Sequence, residues 1–322
     1  MKFLKKFFKI LFIVLLVVFI LFSFLPYFFS VETKELAANE KPFTNSHFIT
    51  IDKTRFHYRV WTPKNKAIRK VLLIHGFSGS TFSYRKNIDT LVNQGALVVA
   101  IDLPAFGFSD KSDTANYGVE NKFEAINKIT SLYDTACADK FIVVGHSMGA
   151  AVAGVYASNF PKKVKSVILI DGAPFQNPGG GWLAKILFGY PPLIRWANVL
   201  TKHYFAKPEK FRELVSSAYH EPADTSAANG YLYPFLYKNS GSAIFKMVTA
   251  DNNFVFNKDG FKNIPLLVIW GKDDNWLPIS LRDRFITKFP EAKTYVVADA
   301  GHCPMETKAA EVNKVLVEFI FK

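Results

Sequence analysis

Cysteine is scarce in this chain, with two residues among 322. Cys137 and Cys303 are too few for a disulfide framework and lack the spacing of metal ligands, so we expect two free thiols and no metal site. Basic residues give a formal net charge of +13, yet the tightest cluster is the short run at 162–165. Because a nucleic-acid interface needs a dense basic patch, the sequence argues against nucleic-acid binding. Nothing in it implies an organic cofactor.

Acidic residues are absent before Glu32, and the same segment holds a long apolar run. Four lysines precede residues 10–25, which are apolar except for Ser23. We predict a cytoplasmic basic segment at 1–9, a single transmembrane anchor at 10–29 and a polar tether at 30–46. Basic residues mark the cytoplasmic side, so the rest of the chain is expected outside the cell membrane. The alternative is a signal peptide cleaved near Ala37–Ala38, which would give a secreted protein.

Short apolar runs alternate with helical patterns over most of the remaining chain. This alternation predicts an α/β fold with a doubly wound, mostly parallel eight-stranded sheet built from 47–173 and 262–322. Between 174 and 261 the alternation stops and aromatic residues accumulate, which indicates an inserted, mainly helical cap. The predicted strands are 47–51, 55–61, 71–74, 96–101, 141–144, 164–170, 266–270 and 294–297.

The strand at 141–144 ends in the pattern G-x-S-x-G, and a helical segment follows at once. In this strand–turn–helix context the pattern is typical of a nucleophilic serine, here Ser147. Gly145 and Gly149 would permit a turn too sharp for residues that carry a side chain. The competing interpretation is a structural serine that caps the helix.

A serine hydroxyl needs a base to accept its proton and a carboxylate to orient that base. His302 follows the last predicted strand on a glycine-marked loop, whereas the other six histidines lie in strands, turns or the cap. Asp273 and Asp274 both follow the strand at 266–270, and the residues alone leave the choice between them open. The chain order serine, acid, histidine is that of hydrolases. Two backbone N–H groups, of Phe77 and Met148, are the predicted oxyanion donors.

Taken together, these motifs resemble those of the α/β-hydrolase superfamily, in its capped branch of esterases, lipases and carbon–carbon bond hydrolases. The resemblance covers nearly all of the chain outside the anchor, tether and cap. It implies Ser147 as nucleophile, His302 as base and, from the pattern G-x-x-D, Asp274 as acid. A serine at the elbow argues against the related dehalogenases and epoxide hydrolases. The matching segments are HGFSG at 75–79, DLPAFGFS at 102–109, GHSMG at 145–149, GKDDNWLP at 271–278 and GHCPMET at 301–307.

The expected function is hydrolysis of a carboxylic ester of a hydrophobic or lipid-like substrate through an acyl-enzyme. A carbon–carbon bond hydrolase or an amidase would use the same three residues, and a non-catalytic binding module at the cell surface is an alternative of another class. The expected partners are a small-molecule or lipid-like ester and, through the N-terminal helix, a membrane. The sequence implies no particular oligomeric state.

Overall fold

The computed structural model describes residues 2–31, 33–37, 39–174, 182–250 and 255–322. In these ranges eight strands form one sheet in the order β1-β2-β4-β3-β5-β6-β7-β8. The pairs β1–β2 and β2–β4 are antiparallel, and the five other pairs are parallel. The predicted α/β fold is therefore confirmed. The strands are β1 Ser46–Ile51, β2 Thr54–Trp61, β3 Arg69–Ile74, β4 Ala96–Ile101, β5 Phe141–His146, β6 Val164–Ile170, β7 Leu266–Gly271 and β8 Lys293–Val297.

The central strands are apolar throughout because helices cover both faces of the sheet. Every residue of β4, β5 and β7 is buried. Two apolar clusters result, one on each face. The helices of the described residues are α1 Lys2–Phe24, α2 Ile88–Asn93, α3 Val119–Ser131, α4 Met148–Asn159, α5 Trp182–Gly189, α6 Pro191–Leu200, α7 Pro208–Tyr219, α8 Thr225–Leu232, α9 Ser240–Thr249, α10 Lys258–Phe261, α11 Ser280–Ile286, α12 Pro304–Thr307 and α13 Ala309–Phe321.

Helices α5 to α9 follow β6 and occupy the predicted cap region. The first cap residues, 175–181, lie outside the described residues, so the predicted boundary at 174 stays a prediction. Near the other end, Asn257 N–H donates to Ser158 Oγ at 3.2 Å, which attaches the segment before α10 to the core helix α4. The predicted cap boundary at 261 is likewise a prediction.

The N-terminal helix α1 is long and apolar enough to cross a membrane over Phe3–Phe28. A membrane anchor and a signal sequence both have this length and composition. The segment predicted as a tether also contacts the cap. Lys34 N–H donates to the Leu236 carbonyl at 3.3 Å, and Lys238 N–H donates back to the Lys34 carbonyl at 2.8 Å. This part of the tether is thereby docked on the catalytic domain.

Candidate active site

A sharp turn between β5 and α4 presents Ser147. Its backbone has φ 52° and ψ −119°, a conformation that L-residues rarely adopt. Glycine is required on both sides: a Cβ on Gly145 would lie 2.2 Å from the Gly149 carbonyl oxygen, and one on Gly149 would lie 2.3 Å from that of Ile74. Ser147 N–H donates to the Ile170 carbonyl at 2.9 Å, which fastens the turn to β6. The strained backbone thus holds the serine hydroxyl above the strand ends.

The predicted catalytic side chains meet at this turn. Ser147 Oγ lies 2.9 Å from His302 Nε2, and His302 Nδ1 lies 2.7 Å from Asp274 Oδ2. Because a carboxylate only accepts hydrogen bonds, Nδ1 carries the proton and Nε2 is left to accept from the serine. Asp274 and His302 are buried, whereas Ser147 is partly exposed. This arrangement can accept the serine proton during attack on a substrate.

The charge of Asp274 is held in place by its neighbours. Burial alone would raise the pKa of this carboxyl, but the hydrogen bond and charge of His302 and two backbone N–H groups outweigh it and lower the pKa. Asp274 Oδ1 accepts from the N–H groups of Trp276 at 2.8 Å and Leu277 at 2.9 Å. His302 Nδ1–H donates its hydrogen bond to Asp274 and not to Asp273, which favours Asp274 as the predicted acid.

The two predicted oxyanion donors lie on the loops that flank Ser147. Ile74 pairs with Gly145 across the sheet, so the loop after β3 passes beside the turn after β5. A Cβ on Gly76 would lie 3.0 Å from Ser147 Cβ. Within the described residues, the N–H groups of Phe77 and Met148 donate to no protein acceptor. Both therefore remain available to a substrate oxygen, and their role is a prediction.

Two side chains that the sequence did not identify position His302. His146 lies with its ring centroid 4.9 Å from that of His302, and its Nε2–H donates to the His302 carbonyl at 2.7 Å. Burial and the neighbouring His302 lower the pKa of His146 to about 3, so it is neutral. Trp276 stacks on the His302 ring at a centroid distance of 5.3 Å. The position of His146 beside the site could have been inferred from its place in the G-x-S-x-G pattern, whereas no sequence pattern marks Trp276.

A second serine–histidine–aspartate arrangement is present in the core. Ser46 Oγ lies 2.8 Å from His57 Nε2, and His57 Nδ1 lies 2.7 Å from Asp102 Oδ2. All three residues have no exposed surface. Burial would raise the pKa of Asp102, but the charge and hydrogen bond of His57 lower it. No substrate can reach Ser46, so this arrangement joins β1, β2 and β4 and is structural.

A third carboxyl, Asp171, lies beside the site at the end of β6. Its nearest ligand atom and those of Asp274 and His302 all lie within 4.8 Å of one another, the spacing of a metal-binding group. Asp274 and His302 are engaged in their mutual hydrogen bond, which accounts for the close spacing of these two residues. Asp171 Oδ1 accepts from Gly271 N–H at 2.8 Å, whereas Oδ2 is buried without a hydrogen-bond partner. Burial and the charge of Asp274 raise the pKa of Asp171 well above its usual range.

Replacing Asp171 with asparagine tests the raised pKa of this carboxyl. An acid whose pKa is raised by folding keeps its proton while the unfolded chain loses it above about pH 3.9, so stability falls as pH rises. The amide has no such proton and preserves the acceptor for Gly271. We expect the melting temperature of Asp171→Asn to gain on that of the wild type by several degrees between pH 4 and pH 8, measured in detergent micelles. A difference that is constant with pH would contradict a protonated Asp171.

The cap is attached to the catalytic loop through Glu306. This carboxylate is fully buried and accepts hydrogen bonds from Tyr219 of α7 at 2.6 Å and from Tyr231 of α8. Arg85 forms an ion pair with it. In addition, the His302 N–H donates to the Ala218 carbonyl of the cap at 2.7 Å. The position of His302 therefore depends on the cap as well as on the sheet.

A cavity of about 600 Å³ lies between the cap helices and the loop that carries the predicted oxyanion donor. Ser78, next to Phe77, is one of its lining residues. The charged residues on its wall, among those described, are Lys210 and Glu213, which pair with each other at 2.7 Å. The other lining residues from the cap are mainly apolar: Ala197, Leu200, Thr201, Tyr204, Phe205, Phe211, Leu214, Phe235, Gly241, Ile244 and Phe245.

The sheet order, the elbow and the site geometry agree with one protein family. The profile of that family, described as "Alpha/beta hydrolase family", matches residues 71–315. The chain belongs to the alpha/beta hydrolase family. Three relatives of this hydrolase illustrate the range of the family.

The uncharacterized hydrolase YugF of Bacillus subtilis is 26% identical over 280 residues, covering 84% of this chain and 96% of its own. Lipase 3 of a Moraxella species is 28% identical over 244 residues, covering 73% and 72%. A 2-hydroxy-6-oxononadienedioate/2-hydroxy-6-oxononatrienedioate hydrolase of Burkholderia vietnamiensis is 24% identical over 292 residues, covering 83% and 91%. This chain is thus similar both to a lipase and to a hydrolase that acts on 2-hydroxy-6-oxo dioates.

Among solved structures, that of a bacterial membrane phospholipase A is similar to this hydrolase. The comparison gives a TM-score of 0.62 at 20% identity and covers 98% of this chain and 97% of the other. At this identity the likeness shows a shared fold.

Proposed function

We propose that this hydrolase cleaves carboxylic esters of hydrophobic or lipid-like substrates at a membrane, through an acyl-enzyme on Ser147. The observation that carries the proposal is the partly exposed Ser147 hydroxyl, 2.9 Å from His302 Nε2, with Asp274 behind the ring. A buried or unpaired serine would not be activated in this way. The proposed location is a single-pass anchor with the catalytic domain on the extracytoplasmic side.

In the proposed reaction Ser147 Oγ attacks the ester carbonyl carbon while its proton moves to His302 Nε2. The carbonyl oxygen becomes an oxyanion that accepts from the N–H groups of Phe77 and Met148. His302 then protonates the leaving alkoxide oxygen as the C–O bond breaks, which leaves the acyl group on Ser147. Water attacks the acyl-enzyme, gives a proton to His302 and releases the acid, and the proton returns to Oγ. Asp274 stabilises the imidazolium of His302 during both acylation and deacylation.

The cavity favours an apolar acyl group over a doubly charged substrate. Its Lys210 is already paired with Glu213, so it offers no evident site for the two carboxylates of a dioate substrate of the kind named for the Burkholderia relative. Apolar lining of this kind suits an alkyl chain. The similar lipase from Moraxella and the fold shared with a membrane phospholipase A support the same substrate class.

The test uses the full chain in detergent micelles with p-nitrophenyl acetate, butyrate, octanoate and palmitate. A fluorophosphonate probe is applied in parallel, and a 2-hydroxy-6-oxo-dienoate serves as the carbon–carbon bond substrate. We expect labelling of Ser147 and higher kcat/KM for octanoate than for acetate. Labelling with cleavage of the dienoate but not of the esters would favour the carbon–carbon bond hydrolase. A folded chain that neither reacts with the probe nor turns over a substrate would be a non-catalytic module.

A further inference from the structure

The C-terminal end of helix α1 packs against the cap. Phe19 stacks on Tyr190 at a centroid distance of 6.0 Å, and Ser23 Oγ lies 2.7 Å from the Tyr190 hydroxyl. Phe22 stacks on Trp196, whose Nε1–H donates to the Phe22 carbonyl at 2.9 Å. Hydrogen bonds from side chains of α6 therefore fix the cap at a definite height along the apolar helix.

These contacts change in character after α1 ends at Phe24. There the cap adds cations: Arg195 donates to the Phe29 carbonyl at 3.0 Å, and Lys202 donates to Ser30 Oγ at 3.1 Å. The cap makes aromatic contacts from Phe19 to Phe29, where Trp196 lies at a centroid distance of 6.1 Å, and cations join these contacts only after the helix, an order that matches the passage from acyl chains to lipid headgroups. The cap thus follows the polarity profile of a bilayer.

The depth of the contact follows from helix geometry. If Lys9 marks the cytoplasmic edge of a hydrocarbon core about 30 Å thick, a rise of 1.5 Å per residue places the far edge near Phe29. Phe19 then lies about 15 Å inside that edge. If the edge is set by Lys2 instead, the far edge lies near Phe22 and Phe19 is still about 4 Å inside. In either case Tyr190 is at the depth of acyl chains.

Two exposed apolar side chains precede Tyr190. Ile186 is 61% exposed and Leu187 is 53% exposed, and the Tyr190 N–H donates to the Leu187 carbonyl at 3.2 Å, so the turn between α5 and α6 is tight. Only three residues separate Ile186 from Tyr190, whose ring stacks on Phe19. These side chains are therefore held near the part of α1 that lies within the hydrocarbon.

We propose that the last turn of α5 together with Tyr190, residues 186–190, inserts among the acyl chains of the leaflet that borders the catalytic domain. This makes the cap a second membrane contact, and it rests on the anchor that the proposed function includes. The occupant of this apolar surface is the lipid bilayer itself. The bilayer is identified as the occupant because the apolar surface is continuous with α1 and because Arg195 and Lys202 lie where lipid headgroups are expected.

The insertion has a consequence for substrate access. Ala197, Leu200 and Thr201 line the cavity, and they lie about two to three turns beyond Tyr190, on or directly after α6. The cavity therefore opens close to the boundary between acyl chains and headgroups. A lipid ester can enter from the leaflet without crossing water.

The test places an environment-sensitive fluorophore at single cysteines in the full chain, in a Cys137→Ser background because Cys303 is buried. Leu187→Cys reports the proposed contact, Phe12→Cys reports the anchor, and Leu132→Cys is the matched control. Leu132 is 55% exposed and directly follows α3, before the start of β5, so it belongs to the amino ends of the strands, whereas the cap follows the carboxyl end of β6. The chain is reconstituted in phosphatidylethanolamine–phosphatidylglycerol vesicles containing lipids with nitroxides on their acyl chains.

We expect the nitroxides to quench the labels at Leu187 and Phe12 strongly and the label at Leu132 little. If Leu187→Cys behaves like Leu132→Cys while Phe12→Cys is quenched, the insertion is wrong and the anchor stands. If Phe12→Cys is not quenched, both are wrong. Hydrolysis of p-nitrophenyl butyrate by the same samples reports the proposed chemistry separately.

A charged substitution gives a second readout. A carboxylate among acyl chains is strongly disfavoured, so Leu187→Asp is expected to lower the ratio of phospholipid turnover to p-nitrophenyl butyrate turnover by about tenfold or more. Leu132→Asp should leave that ratio unchanged. Equal ratios in the two variants would contradict the insertion.

Discussion

Ser147→Ala is expected to lower ester turnover by about 10⁴-fold or more, because the variant keeps the pocket and loses the attacking oxygen. Labelling by the fluorophosphonate should disappear with it. The measurement is kcat/KM for p-nitrophenyl octanoate together with probe labelling in detergent micelles. A fall in turnover with an unchanged melting temperature would show that the loss is chemical.

Ser46→Ala is the matched control for this variant. Ser46 makes the same kind of hydrogen bond to a histidine that is itself paired with an aspartate, but it has no exposed surface. Its removal is expected to cost about 1 kcal/mol of stability through the lost bond to His57, with little change in turnover. Loss of turnover in Ser46→Ala comparable to that in Ser147→Ala would contradict the assignment of the nucleophile.

Asp274→Asn is expected to lower turnover by about 10³–10⁴-fold, with little change in the geometry of the site. An amide can donate to His302 Nδ1, which favours the tautomer that carries its proton on Nε2. That tautomer cannot accept the proton of Ser147. The variant also lacks the negative charge that stabilises the imidazolium. The same ester assay measures the effect.

Asp273→Asn is the control, since Asp273 is the adjacent aspartate and differs from Asp274 in contacts. Asp274 makes the hydrogen bond to His302 at 2.7 Å, whereas the Asp273 backbone N–H donates to Ala300. We expect Asp273→Asn to retain most of the turnover. Equal losses in the two variants would leave Asp274 without a special role.

Local sequence patterns predicted most of the fold. Strand β4 was predicted with its observed bounds because six consecutive apolar residues are typical of a strand in a sheet that helices cover on both faces. The elbow at Ser147 was predicted from two glycines. In the structure Gly149 approaches the Ile74 carbonyl so closely that no side chain would fit there. Strand β5 continues to His146, two residues beyond the predicted end at residue 144. The first two residues of the G-x-S-x-G pattern still pair in the sheet, although the pattern itself is typical of a turn.

The sequence left open those features that depend on contacts between distant parts of the chain. Asp102 pairs with His57, whereas Asp171 lies against Asp274. Both end strands, as does Asp274, so their position in the sequence does not separate their roles. The order of strands in the sheet decides which strand ends become neighbours, and that order is not encoded in any local pattern.

The sequence by itself determined the type of fold, the strained turn at Ser147 and a hydrolytic set of residues, because periodicity, glycine sterics and residue order act locally. Tertiary structure decided that Asp274 and not Asp273 meets His302. It also decided that Ser46 is sealed from substrate and that the cap is docked on α1. These outcomes depend on burial and on distances between residues far apart in the chain, which arise only when the sheet and the cap are assembled.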